Sequence, residues 1–308
     1  MSKILILLAM VTFSNARAAE PLKVITSTTD LAWAVKEIGG DHVDVKSLLK
    51  GTENPHYIDA VPEYIRLAAD AQVAVVVGLE LEVGWMPKVL SRSGNAQVQP
   101  GGKGYVESGT GISVLEKPAG SVDRSMGDVH PGGNPHYWLS PDAMAKSMVP
   151  VTETLSNVDP AHAKDYQAGL ARLNTKLDQI KQRGLKKLQP LLSTTKGPVM
   201  VEYHKEFTYF LQTYGLKSLG SLEEKPGITP SAGRLAEISL AAKNAGVKFG
   251  LAGDTAPKKT IQRFSELSGI PVMVVPLSIQ PKGKAKDYDA FQDILIEAVV
   301  KGLQNPKS

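Results

Sequence analysis

The hydrophobic positions in the first part of the chain alternate between short continuous runs and periodic, half-polar segments. Residues 73–77 are apolar without interruption, which is typical of a strand covered on both faces of a parallel sheet. Residues 22–27 and the run from residue 43 also predict strands. Between these runs the apolar residues recur at helical spacing. Capping residues, an early proline and closing glycines there predict helices at 31–38, 62–71 and 82–90.

The last third of the chain repeats this alternation of strand and helix. Strands are predicted at 198–203, 216–222, 248–253 and 271–275, and helices at 205–214, 230–245, 257–268 and 288–303. Two such halves predict an α/β protein with two (β/α) lobes, each built on a parallel sheet. Ligands of this architecture bind beyond the carboxyl ends of the strands, and here that place is the cleft between the lobes.

A long amphipathic helix separates the two halves. Asp159-Pro160 is a helix-start signal, and the run ends near Pro190. One face carries an apolar stripe and the other is basic; the stripe comprises Tyr166, Leu170, Leu173, Leu177 and Ile180. Ahead of it, residues 94–133 predict surface loops with one or two short strands, such as 111–115, and residues 141–155 predict a helix. We therefore expect a signal peptide (1–19), an N-terminal lobe (20–157), a rigid connecting helix (158–192) and a C-terminal lobe (193–308).

The beginning of the chain determines the expected compartment. Lys3 precedes an apolar run at 4–11, and Ala16-Arg17-Ala18 is typical of a cleavage site, so residues 1–19 are predicted to be a cleaved signal peptide. The apolar run is too short to span a bilayer, and no later run is longer. We therefore expect a soluble protein exported to the periplasm.

Composition narrows the chemistry further. The 308 residues carry a formal net charge of +4 without a basic patch with interleaved aromatic residues, so we expect no nucleic-acid partner. Cysteine is absent, so we expect neither disulfides nor a lipid anchor. Any metal site must then use histidine, aspartate or glutamate.

Three of the six histidines share a type of position. Asn54-Pro55-His56-Tyr57 is repeated as Asn134-Pro135-His136-Tyr137, and His204 directly follows a predicted strand. All three lie where a βα unit turns, at the end of the sheet where sites form. Their neutral imidazoles would suit zinc, copper, nickel or iron. His42 and His162 are expected to be ordinary surface or edge residues.

Three segments carry a resemblance to a known family: Asn54-Pro55-His56, residues 133–141 and Glu202-Tyr203-His204-Lys205. They resemble the signature of the metal-binding periplasmic solute-binding proteins, the cluster A-I zinc and manganese receptors of ABC importers. The likeness extends over roughly residues 22–303. It implies two (β/α) lobes joined by a rigid backbone helix, with a metal ion buried between them and delivered to a membrane permease. It also implies a binding protein rather than an enzyme, and we expect a monomer.

Carried over by position, the resemblance implies that His56 and His136 bind the metal from the N-terminal lobe and His204 from the C-terminal lobe. The third position tends to be glutamate in the manganese receptors and histidine in the zinc receptors, so His204 favours Zn²⁺ as the transported ligand. Mn²⁺, Fe²⁺ and copper stay open.

The expected fourth ligand departs from the family pattern. The family usually has an aspartate before a proline late in the C-terminal lobe, where this chain has Val275-Pro276. We predict Asp254 as its replacement, with Glu223 or a water as alternatives. His130 is predicted to be at most an accessory residue, and Glu80 or Glu82 could orient a ligand histidine or lie at the surface.

The alternative function, from another class, is an exported zinc-dependent hydrolase, in which three protein ligands leave a position for water. The chain has no H-E-x-x-H motif and no evident general base beside a ligand, since Glu202 is better explained as a buried structural residue. A third alternative is a surface adhesin with an incidental metal.

Overall fold

Two parallel four-stranded sheets form the framework of the protein. The computed structural model describes residues 20–120, 122, 126–193, 197 and 199–304. The first sheet has the order β2-β1-β3-β4, and its strands are β1 (Leu22–Thr26), β2 (Val43–Ser47), β3 (Val73–Val76) and β4 (Tyr105–Glu107). The second has the order β6-β5-β7-β8, with β5 (Met200–Glu202), β6 (Ser218–Ser221), β7 (Phe249–Gly253) and β8 (Val272–Val275). The predicted α/β class with two lobes is confirmed.

Helices cover these sheets. In the N-terminal part they are α1 (Thr29–Gly39), α2 (Pro62–Asp70), α3 (Met86–Ser93) and α4 (Pro141–Val158). The C-terminal part has α6 (Thr208–Tyr214), α7 (Ala232–Asn244), α8 (Lys258–Ser268) and α9 (Tyr288–Gln304), and α5 (Ala163–Leu192) lies between the two parts. Side-chain oxygens of Thr28, Ser140 and Ser231 accept backbone N–H groups at the starts of α1, α4 and α7, as N-caps do.

Helix α5 connects the two halves through its apolar stripe. The buried residues of this stripe include Tyr166, Leu173, Leu177 and Ile180, as the periodicity predicted. The helix packs against α1 and α4 of the first half and against α6 and α9 of the second. Gly169 lies against the backbone of Ile38, and Gly184 lies against the ring of Tyr214. A side chain at either glycine would overlap its neighbour, so α5 can approach each half closely.

Two predicted elements of the first half are wrong. Residues 111–115 form no strand, because the sheet edge beside β3 is occupied by β4 instead. The helix predicted at 82–90 begins only at Met86. Ahead of it, Leu79 and Glu80 have positive φ, and the buried Glu82 carboxylate accepts the N–H groups of Val77 and Gly78. Glu82 therefore stabilises a turn and does not orient a histidine.

The loop after β8 joins the two halves at the edge of the cleft. Thr29 Oγ1 donates to the carbonyl oxygen of Ile279 (2.6 Å), and the Ile279 N–H donates to Asp30 Oδ1 (3.0 Å). Trp138 Nε1 donates to the Leu277 carbonyl oxygen (2.7 Å). These three buried or partly buried bonds hold the C-terminal loop against the N-terminal half.

The predicted signal peptide, residues 1–19, lies outside the described residues. Among those that are described, no helix combines the length and the apolar character needed to cross a membrane.

Candidate metal centre

The repeated Asn-Pro-His sequence forms the same local structure twice. The side-chain oxygen of Asn54 accepts the backbone N–H of His56 (3.0 Å), and that of Asn134 accepts the backbone N–H of His136 (2.9 Å). Such a bond from an asparagine to the residue two positions later is an Asx turn. The intervening proline fixes one backbone angle of the turn. Each copy of the repeat therefore fixes the backbone orientation of its histidine relative to the loop.

Asn134 also determines which ring nitrogen of His136 is available. Its Nδ2 donates to the carbonyl oxygen of Lys205 (2.8 Å), which identifies Oδ1 as the acceptor of the amide. Oδ1 lies 3.0 Å from Nδ1 of His136, so Nδ1 carries the proton. Nε2 of this buried ring then carries the lone pair, which can be given to a metal ion.

A carboxylate orients His204 in a similar way. His204 follows β5 in the C-terminal half, and its Nδ1 lies 2.7 Å from Oε2 of the buried Glu223. The same oxygen accepts the N–H of Gly227 (2.8 Å). An ionised carboxylate can only accept hydrogen bonds. Nδ1 of His204 is therefore the donor to Glu223, and its Nε2 is left for a metal ion. Glu223, one of the alternatives for the fourth ligand, therefore acts through His204 in this structure.

The three histidines converge in the cleft. One ring nitrogen from each of His56, His136 and His204 lies within 4.8 Å of the other two. The Nε2 atoms of His56 and His136 are 3.2 Å apart. Zinc–nitrogen bonds of about 2.0–2.1 Å in a tetrahedron separate two nitrogens by about 3.3 Å. The first pair thus already has this spacing, and the ring nitrogen of His204 lies within 4.8 Å of both.

The electrostatic environment keeps two of the rings neutral. Burial, reinforced by the neighbouring imidazoles, lowers the pKa of His56 and His136 well below the usual 6.5. Burial also opposes the charged form of His204, but the hydrogen bond to Glu223 and the nearby charge of Glu206 outweigh it and raise the pKa of this ring. Neutral imidazole is the form that binds metal, so His56 and His136 are ready to bind at neutral pH.

The cavity around these rings is small. Its volume is about 190 Å³, and its walls include Tyr57, Trp138, Tyr203 and Glu206 besides the histidines. Pockets for organic ligands usually measure about 300–1,000 Å³. The space therefore suits a single ion with few waters better than an organic solute.

Asp254 lies apart from the three histidines. It follows β7, as predicted, but its Oδ2 accepts from Nε2 of Gln280 (2.6 Å). Its carboxylate belongs neither to the group of converging ligand atoms found among the described residues nor to the lining of their cavity. To reach an ion there, Asp254 would have to exchange its bond to Gln280.

The remaining histidines lie outside the triangle. The ring centre of His130 is 5.1 Å from that of His56, and burial lowers its pKa to about 4. Within the described part of the chain, its buried Nε2 has no hydrogen-bond partner. His42 and His162 stack on each other and bond to Asp165 and Asp159, outside this cavity.

Glu206 is the residue of the cavity that sequence reasoning missed. It is 5% exposed, and its Oε2 has no hydrogen-bond partner among the residues that the structure describes. Burial raises the pKa of Glu206 to about 8. The charges of Glu202, Glu223 and Asp254 also raise this pKa, whereas His204 lowers it. Its place two residues after His204 is the only signal in the sequence that could have indicated it.

The fold and the cavity together define the class of protein: a two-lobed substrate-binding protein whose cleft presents nitrogen ligands suited to a transition metal. Residues 24–302 match the family model described as zinc-uptake complex component A, periplasmic (ZnuA). The chain belongs to this family of metal-binding substrate-binding proteins of ABC transporters. It is therefore a binding protein and not an enzyme.

Similar proteins extend over nearly the whole chain. The iron ABC transporter substrate-binding lipoprotein MtsA of Streptococcus pyogenes serotype M1 is 26% identical over 95% of this chain and 92% of its own length. The manganese ABC transporter substrate-binding lipoprotein PsaA of Streptococcus mitis is 22% identical over 94% and 91%. A crystal structure of a zinc-bound ZnuA deletion mutant has a TM-score of 0.75 and 23% identity, covering 92% of this chain and 98% of that one. These proteins are named for three different metals: iron, manganese and zinc.

Proposed function

We propose that this protein captures a divalent transition metal, zinc in preference to manganese or iron, and delivers it to the membrane permease of an ABC importer. The observation that carries the proposal is the convergence of ring nitrogens from His56 and His136 in one lobe and His204 in the other. Three imidazoles favour zinc over manganese, both in ligand type and in the general order of divalent affinities. The zinc-uptake family to which the chain belongs supports the same choice.

In this proposal capture needs little rearrangement. The metal binds to Nε2 atoms whose rings Asn134 and Glu223 already orient through Nδ1. Trp138 lies beside His136, with ring centres 5.4 Å apart, and helps to exclude water from the cleft. Because the ligands come from both lobes, a bound ion also joins the lobes, which is the state a permease can recognise.

The proposed cellular setting follows the sequence expectations. We propose a signal peptide at 1–19, export to the periplasm and action as a monomer. The lobes would comprise residues 20–157 and 193–308, with 158–192 as the connecting helix.

The direct test is metal content and binding by the protein purified from its native compartment. We expect one equivalent of zinc by elemental analysis and tighter competition binding of Zn²⁺ than of Mn²⁺ or Fe²⁺. The His42→Ala variant serves as a matched control, since His42 bonds to Asp165 away from the cleft. A protein that takes up no stoichiometric transition metal would refute the proposed function.

Metal affinity should also depend on pH. The pKa of His204 lies above 6.5 and that of Glu206 at about 8, so protons occupy these groups as the pH falls through neutrality. His56 and His136 have pKa values well below 6.5 and do not compete there. Because the pKa of His204 is raised, metal affinity should be highest at alkaline pH. It should fall as the pH is lowered, and the fall should begin above pH 6.5.

The Glu223→Gln variant tests this assignment. Glu223 raises the pKa of both His204 and Glu206, so its neutralisation should move the loss of affinity to lower pH. Loss of an orienting partner should also weaken zinc binding by about 10–100-fold at high pH. Zinc competition titrations across the neutral range would measure both effects. An unchanged pH profile in this variant would contradict the role given to Glu223.

A further inference from the structure

Glu206 emerges from the same turn as His204. The backbone N–H of Glu206 donates to the carbonyl oxygen of His204 (2.8 Å), which closes a tight turn between β5 and α6. Both side chains line the cavity that contains His56 and His136. The chain therefore presents a carboxylate and an imidazole to the cleft from one short, fixed segment of the C-terminal lobe.

The charged groups that act on the Glu206 carboxylate are mostly acidic. Its Oε2 lies against the backbone at Gly253, where an added Cβ would be 2.8 Å away, and no described group hydrogen-bonds to it. The charged residues that act on it, apart from His204, are acidic: Glu202, Glu223 and Asp254. A buried carboxylate without a partner costs free energy, and such groups are usually paired or coordinate metals. A divalent ion among the three imidazoles would provide the missing positive charge.

The other carboxylates near the cleft have partners already. Glu223 accepts from His204 and Gly227, and Asp254 accepts from Gln280. Asp128 accepts from the hydroxyl of Tyr57. Among the described carboxylates of the cavity lining, Glu206 is the one with a fully buried oxygen that has no hydrogen-bond partner.

We propose that Glu206 is the fourth protein ligand of the metal and gives the site its affinity for harder ions. This inference rests on the proposed function, since it concerns the same ion. Its carboxylate does not belong to the converging ligand atoms in the structure, and Oε2 lies against Gly253, so Glu206 would have to turn about its side-chain bonds to reach the ion. The result is a set of three nitrogens and one carboxylate oxygen. Carboxylate oxygen suits manganese, whereas imidazole suits zinc, so Glu206 sets how far the site accepts Mn²⁺.

The test compares Glu206→Gln, which keeps the shape and removes the charge, with Asp254→Asn as the matched control. Competition titrations with Zn²⁺ and Mn²⁺ should show that Glu206→Gln weakens zinc binding about tenfold and manganese binding about a hundredfold. Asp254→Asn should leave both affinities within about twofold of wild type. X-ray absorption of the zinc-loaded wild type should show three imidazoles and one oxygen at about 2.0–2.2 Å, and the spectrum of Glu206→Gln should change in that oxygen shell.

Thermal denaturation separates ligation from folding. Metal-free Glu206→Gln should melt no lower than metal-free wild type, because it buries a neutral group, while its melting temperature should rise less on adding metal. Equal losses for both metals with an unchanged oxygen shell would overturn the ligand assignment. So would normal binding by Glu206→Gln together with weak binding by Asp254→Asn. Failure of the wild type itself to bind metal would instead overturn the proposed function and this inference with it.

Discussion

Zinc binding should weaken by at least about a hundredfold in the His136→Ala variant. Structural zinc sites bind with about 10–16 kcal/mol over four ligands, so one ligand accounts for roughly 3 kcal/mol, and every 1.4 kcal/mol is about tenfold. His136 is 4% exposed and its Nε2 lies 3.2 Å from that of His56, so the substitution removes a buried ring nitrogen that already has the spacing of a zinc ligand. Competition with a chelator of known zinc affinity would measure the loss.

The control for this prediction is a histidine of the same protein outside the cleft. His42→Ala should bind zinc like the wild type, because its ring stacks on His162 and bonds to Asp165. Retention of wild-type zinc affinity by His136→Ala would refute the three-histidine site. Equal losses in both variants would point to a general effect on folding.

Replacing Gly169 by alanine should destabilise the protein by about 2 kcal/mol or more, despite the gain in helix propensity of about 1 kcal/mol. The new Cβ would overlap the carbonyl oxygen of Ile38, which belongs to the backbone of α1 and cannot rotate away. Helices α1 and α5 would have to separate. Urea denaturation, followed by circular dichroism, would give the change in the free energy of unfolding.

Two other helical glycines make this prediction specific. Gly184→Ala meets the ring of Tyr214 and a methyl group of Ile296, which are side chains, so we expect a smaller loss than at Gly169. Gly233→Ala meets only Ser231 Oγ at 3.8 Å and should be neutral or stabilising by up to about 1 kcal/mol. If Gly169→Ala were as stable as Gly233→Ala, this result would refute the close contact between Gly169 of α5 and the backbone of α1.

Most of the fold could be predicted because its signals are local. The apolar run around β3, and the proline and glycine signals bounding α7 and α8, lie within single elements, so pattern and period suffice. The segment from Leu79 to Trp85 could not be predicted this way. Its conformation depends on the Glu82 carboxylate, which accepts from Val77 and Gly78, and helical periodicity does not encode that interaction. The edge strand β4 lies within 94–133, where one or two short strands were expected, but its position was not predicted because its pairing with β3 is non-local.

The same distinction applies to the site. The three histidines were recognisable from a repeated tetrapeptide and from positions at strand ends. The orienting role of Glu223 and the burial of Glu206 depend on how β5, β6 and the following turns pack, and no spacing in the sequence expresses that. Asp254 was chosen because it follows a strand, but its bond to Gln280 arises from the loop after β8.

The hydrogen bonds of Asn134 affect how a bound metal ion would be released. Its amide holds the ring of His136 on one side and the carbonyl oxygen of Lys205, in the turn that carries His204, on the other. Tyr209 of α6 donates to the carbonyl oxygen of the same asparagine (2.8 Å). Pulling the lobes apart at this point would break the Lys205 bond, whereas the bonds of Asn134 to Glu116 and His136 lie within the first half and would remain. Separation of the lobes at this turn would therefore displace His204 from the other two histidines, while the ring of His136 stays oriented.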